Sequence, residues 1–274
     1  MKKCIAALLT ASMLLALAGC KAKETEHVFV PPTGTSSEET QAETEESSEE
    51  PSESETEPAE EGSVMSYADY AAAELDTEVT IEAYVQGKQS WWEDKATVYL
   101  QDEDGAYFCY EMACSEEDYE KLVTGQKIRV NGFKSEWSGE IEIVDATFEI
   151  IDGKWLATPV DVTDLLGSDE LIDKQNQVVS FTGMTVEASK DADGNEVAFL
   201  YKWDGSGSEG DDLYFNVSIN GETYTFTVES YLCDKNTEVY KAVQALKIGD
   251  TIDMQGFLYW YEGVNPHITK VEVQ

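Results

Sequence analysis

The stretch CSEEDYEKLVTGQKIRVNGF, from Cys114 to Phe133, returns near the end of the chain as CDKNTEVYKAVQALKIGDTIDMQGF, from Cys233 to Phe257. Each copy runs from a cysteine through a short helical pattern to a glycine. Each then reads Gly-x-x-Ile-x-apolar-amide-Gly-Phe. In the first copy these are Gly125, Ile128, Val130, Asn131, Gly132 and Phe133; in the second they are Gly249, Ile252, Met254, Gln255, Gly256 and Phe257. The Gly-to-Gly step has the same length in both, so the chain is read as a duplicated domain before any element is assigned.

Working outward from the first copy, Val79 to Val85 alternates apolar and polar residues, the pattern of a half-buried strand. A loop with Trp91 and Trp92 follows, then a strand over 96–101. Asp104-Gly105 is a hairpin signal, followed by a strand over 106–112. Ser115 caps a short helix that Gly125 ends. Strands over 127–133 and 140–151 flank a loop with Trp137, Ser138 and Gly139. Around the second copy, Val178–Val186 is the first strand, and Asn220-Gly221 between LYFNVSI and ETYTFTVES is a strong two-residue hairpin. Residues 187–212 become an enlarged loop with its own turn at Asp193-Gly194. A register with strand two at 197–203 is the alternative. A helix over 237–246 and strands over 251–257 and 267–273 complete the copy, and a weaker helical segment over 163–175 leads it.

Three strands, a helix, then two strands is the element order of the OB-fold, a five-stranded Greek-key barrel. The chain resembles OB-fold domains of bacterial exported proteins over residues 75–151. The fold class expected is mainly β: two tandem five-stranded OB-fold barrels, each with a short helix between strands three and four. An SH3-like barrel is the alternative.

The N-terminus places Lys2 and Lys3 before an apolar run from Ile5 to Leu17, an export signal too short to span a bilayer comfortably. It closes in Leu17-Ala18-Gly19-Cys20, which resembles the lipobox of bacterial lipoproteins. That resemblance implies lipidation of Cys20 and an extracytoplasmic protein anchored to the cell membrane; a plain secretory peptide is the alternative. Residues 21–63 are Glu, Ser, Thr and Pro with almost nothing to bury, hence expected to be disordered, with a coil span of roughly 36 Å. The organisation expected is a signal peptide over 1–19, a lipid-anchored tether over 20–63, a first barrel over 64–152, a linker over 153–159 and a second barrel over 160–274.

The net charge is −38, of which the first 63 residues hold −10 and the remainder −28. Such a field repels polyanions, so nucleic acid is not expected as a partner. OB-folds use the face of strands two and three and the 1–2 and 4–5 loops for ligands. Trp91, Trp92, Trp137, Trp203, Tyr259, Trp260 and Tyr261 fall in those loops and are the candidate ligand-binding residues; they serve equally as plugs of the barrel ends or as joints between domains. Three cysteines remain beyond the lipobox. Cys109 and Cys114 are too far apart along an extended chain for a disulfide, and the three are read as small buried apolar residues. Asp191, Asp193 and Asn195 have a faint calcium-loop look but fit an acidic turn better. No cofactor, metal site or nucleophile motif is discerned. The function expected is a non-catalytic binding module for an envelope glycan or surface protein; alternatives are a structural accessory lipoprotein and a carboxylate-based glycan-cleaving enzyme.

Overall fold

A computed structural model describes residues 63–274. The signal segment, the Cys20 lipobox and nearly all of the tether lie outside the described residues.

Ser66 caps α1 (Tyr67–Ala72), which closes one end of the first barrel. The barrel strands are β1 (Glu78–Lys88), β2 (Lys95–Gln101), β3 (Ala106–Ala113), β4 (Gln126–Trp137) and β5 (Glu140–Lys154), with α2 (Glu116–Lys121) between β3 and β4. They close in the order β1-β2-β3-β5-β4, with β1 pairing β4 and a parallel contact of β3 with β5 at Cys109 and Ile143. Val79, Ile81, Ala83 and Val85 all point into the core, as their alternation predicts.

The second copy opens with β6 (Val160–Asp161) and two 3-10 turns, Thr163–Leu165 and Asp169–Lys174, in place of the expected weak helix. Gly167, at φ 82°, separates the two turns and prevents one continuous helix. β7 (Val178–Glu187) is followed by a small hairpin, β8 (Ser189–Lys190) with β9 (Glu196–Val197), and by β10 (Leu200–Tyr201), which only edges the sheet. The main hairpin is β11 (Leu213–Ile219) with β12 (Glu222–Val228), turning at Asn220-Gly221. Thr237 caps α3 (Glu238–Gln244), and β13 (Thr251–Phe257) and β14 (His267–Val273) finish the barrel. β7, β11, β12, β14 and β13 close, again with a parallel contact, Thr227 to His267. Both halves are therefore five-stranded OB-type barrels. The SH3-like alternative drops out on the parallel third-to-fifth strand contact and the helix before strand four.

The repeated motif has a physical reason in each of its glycines. Gly125 and Gly249 take φ of 86° and 91° as the chain leaves the helix, and each donates its N–H to the end of the first strand, to Val85 and Val186 respectively. Gly132 and Gly256 are fixed by space instead. A Cβ on Gly132 would lie 2.8 Å from the Val144 carbonyl oxygen, and one on Gly256 only 2.2 Å from that of His267. Both mark the crossing where strands four and five bend around the barrel.

Two expected loops are tighter than the sequence suggests. β4 runs through Trp137 and turns on Ser138 and Gly139 alone, both at positive φ. Trp92 and Lys95 exchange backbone hydrogen bonds across Glu93 and Asp94, again both at positive φ. β5 extends to Lys154, two residues past the expected boundary, and Trp155 packs on Tyr84.

Candidate functional site

The two barrels are joined through the outward face of β2 and β3. Tyr99 and Phe108 are a cross-strand pair that points away from the first core, and both are fully covered by the second barrel. The Tyr99 ring stacks on Phe257 at 4.1 Å between centroids, and its hydroxyl pairs with His267 Nδ1 at 2.8 Å. Tyr259 stacks on His267 and meets Phe108 edge-on. Gln101 accepts from the Val178 N–H, and Ser90 donates its N–H to the Tyr231 carbonyl. The packing is tight at Gly87, where a Cβ would lie 2.7 Å from the Phe257 ring. The face by which an OB barrel ordinarily takes ligands is, in this first barrel, spent on its neighbour.

The candidate aromatics accordingly separate into groups. Trp137 packs on Tyr261 with the rings tilted and 5.1 Å between centroids, and the Ser138 carbonyl accepts from the Glu262 N–H, so the two 4–5 turns form a second joint. Trp260 packs against the second core and over Gly139. Trp91 is half-buried and donates Nε1–H to the Cys114 carbonyl. Trp203, 69% exposed, stands on the enlarged loop away from the others. Trp92, 66% exposed, and Tyr259 line a cavity. Of the readings that the sequence leaves open, Trp137, Tyr259, Trp260 and Tyr261 follow the one that joins the two barrels.

That cavity is a cleft of about 460 Å³ along the seam. Its aromatic walls are Trp92, Tyr110, Tyr231 and Tyr259, with Glu229 and His267 from the second barrel. Lys95 also lines it but is paired with Glu111. Its first-barrel rim holds three non-glycine residues in the left-handed region: Glu93 and Asp94, which present Trp92, and Glu111. Each costs roughly 1–3 kcal/mol that the surroundings must offset, a kind of strain that gathers at binding sites. The turn is pinned by the Cys114 N–H, which donates to the Asp94 carbonyl. Tyr110, Tyr231 and Glu229 were missed in the sequence, where nothing local marks them. The Tyr99–Phe108 dock did leave a signal: Val98-Tyr99-Leu100 and Tyr107-Phe108-Cys109 are continuous apolar runs, as expected of strands buried on both faces.

Three carboxyls are buried at or near this seam. Glu140 is 0% exposed; its Oε2 accepts from the Trp260 N–H and from Gln175, while Oε1 has no partner. Burial raises its pKa to about 8 against the pull of the nearby Asn176 and Gln175 side-chain amides and the Trp260 N–H. Burial also raises Glu142 to about 7. Glu229 rises to about 7, chiefly by burial, with the Tyr231 N–H opposing. His267 goes the other way: burial lowers it to about 3, so it stays neutral beside the Tyr99 hydroxyl.

The remaining sequence candidates are structural. Cys109, Cys114 and Cys233 are buried free thiols, and burial raises Cys114 to about 11 and Cys233 to about 12. The Asp191 carboxylate accepts from the N–H groups of Asp193 and Asn195, so it serves its own turn.

No family model matches the chain, and no curated protein matches it in sequence. Solved structures do match. One is the Ifi202 HINa domain in complex with 20-bp double-stranded DNA: 11% identity over 73% of this chain and 96% of that chain, TM-score 0.33. Another is a murine DNA binding protein bound with double-stranded DNA, with 10% identity over 71% and 96%, TM-score 0.35. A third is a replication protein A heterotrimer bound to single-stranded DNA, with 12% identity over 72% and 49%, TM-score 0.29. These are complexes with DNA, and two expectations are corrected against them: the envelope glycan or surface protein as ligand, and the exclusion of nucleic acid. The physical fault lies in the charge argument. Net charge bears on contacts to phosphates and leaves out the stacking of bases on aromatic rings.

Proposed function

We propose that this chain binds single-stranded nucleic acid through its bases, in the cleft between the two barrels, without catalysing a reaction. The observation that carries the proposal is the cleft itself: four aromatic side chains, one of them held out on a strained two-residue turn, around a space of about 460 Å³. A base stacked on such a ring contributes about 1–3 kcal/mol. Phosphates gain little, because the one lysine lining the cleft is already paired and residues 64–274 carry −28. The lipobox-like Leu17-Ala18-Gly19-Cys20 supports a location outside the cell membrane, on a lipid at Cys20.

This division between bases and backbone sets an unusual salt dependence. Ordinary nucleic-acid binding weakens as salt rises, through counterion release. Here the dominant long-range effect is repulsion, which salt screens: the Debye length falls from about 10 Å at 0.1 M to about 3 Å at 1 M. Fluorescence anisotropy of labelled 12-nucleotide strands, from 0.05 to 1 M NaCl, tests the proposal. Affinity should rise with salt and fall about tenfold or more for Trp92→Ala, the stacking contribution of one base. Absence of binding at 1 M NaCl, or equal binding by the Trp92→Ala protein, would refute it.

A further inference from the structure

Glu229 lines the cleft and is 8% exposed. Its Oε1 accepts from the Tyr231 N–H at 2.9 Å, which fixes the carboxyl relative to an aromatic wall of the same cleft. Its Oε2 is buried and has no partner. Buried polar atoms in folded proteins are almost always hydrogen-bonded, so an orphan oxygen beside a ligand cavity points to a ligand that completes it. Neither Lys95, which is paired with Glu111, nor the neutral His267, which is paired with Tyr99, makes a hydrogen bond to it.

We propose, resting on the base-binding reading above, that Glu229 is the specificity-determining residue of the cleft and selects bases carrying an exocyclic amino group, cytosine above thymine. A carboxyl group accepts readily from the cytosine N4 amino group. Because burial holds Glu229 near pH 7, the protonated form is also populated at neutral pH, and its hydroxyl donates to the adjacent cytosine N3. Together these make a two-point contact of one donor and one acceptor. Because the Tyr231 N–H holds Oε1 as an acceptor, the proton sits on Oε2, and thymine, with O4 and N3–H at the same positions, sets acceptor against acceptor and donor against donor. Adenine shares the amino-and-ring-nitrogen edge but differs in stacking area, so the two pyrimidines make the cleaner comparison.

The test titrates dC12 and dT12 into the full chain at 1 M NaCl and pH 7, and repeats both with Glu229→Gln and Glu229→Leu. The expected result is about tenfold tighter binding of dC12 than of dT12 by the native chain, the discrimination typical of a good two-point base contact. Glu229→Gln, whose amide oxygen accepts from the Tyr231 N–H while its NH2 takes the place of the hydroxyl, should keep the preference, whereas in Glu229→Leu, which offers neither donor nor acceptor, it should collapse to about twofold or less. Equal binding of dC12 and dT12 by the native chain overturns the specificity proposal and leaves base binding standing. Failure of both strands to bind sinks the base-binding reading and this inference with it. A preference that survives unchanged in Glu229→Leu assigns the selection elsewhere and overturns the role of Glu229.

Discussion

Replacing Glu140 by Gln should change how the stability of the barrel pair responds to pH. The side chain is wholly buried where Trp260 and Gln175 of the second half reach the first barrel. Its pKa stands at about 8 in the folded protein against 4.5 when the chain is open. A group raised on folding binds its proton more tightly in the folded state. Its contribution is therefore fully present below pH 4.5 and is lost as pH rises towards 8. At about 1.4 kcal/mol per pH unit, the whole loss is of the order of 5 kcal/mol. That is comparable with the total stability of many domains. Glutamine keeps the shape and an oxygen to accept from the Trp260 N–H but cannot ionise. Glu142 and Glu229, near 7, titrate in the same window and remain in the variant, so its curve should still slope, but less. The assay is urea denaturation from pH 4 to 9, followed by tryptophan fluorescence. The difference between variant and native protein should be near its minimum at pH 4 and grow by several kcal/mol by pH 8.5. Parallel curves across the range would refute the assignment of Glu140 as the titrating group.

Gly256→Ala drives a methyl group into the His267 carbonyl; it should cost about 3 kcal/mol, as overpacking does, read as a fall in urea midpoint at unchanged slope. Trp260→Ala removes an indole packed on the second core and the Gly139 turn, and should cost about 3–5 kcal/mol. Trp203→Ala, on an exposed loop, should stay within about 0.5 kcal/mol; thermal melts of the two side by side check the contrast. Gly87→Val meets the Phe257 ring and should part the seam without unfolding either barrel, seen as faster proteolysis of the segment after Lys154.

The architecture was legible because it depends on short-range chemistry that repeats. Ser115 and Thr237 cap their helices, Asn220-Gly221 turns its hairpin, and the paired glycines recur at equal spacing for reasons of φ and of space. The site was less legible because it is made between copies. Tyr231 and Glu229 join Trp92 and Tyr110 only after the barrels dock, and no local pattern announces contacts more than a hundred residues apart. Tryptophan in a loop was taken as a sign of ligand. Trp137 and Trp260 show that large rings in turns serve as well to fasten one domain to another. The Glu93–Asp94 turn was hidden for the opposite reason: neither residue favours positive φ, and only the surrounding structure imposes it.

On the outward side of the second half's own hairpin, Asn216 and Thr225 face each other across β11 and β12. There the Thr225 hydroxyl donates to the Asn216 amide oxygen in an exposed position. A duplicated unit that docks head to tail has in principle no reason to stop at two: each new copy could seat on the last, and an open-ended filament would follow. This chain breaks that logic by making its copies unequal. The first offers an oily seat and the second a wetted, self-satisfied one, on which a third barrel would gain no apolar contact. The polar pair thus disfavours the docking of a further barrel at that hairpin.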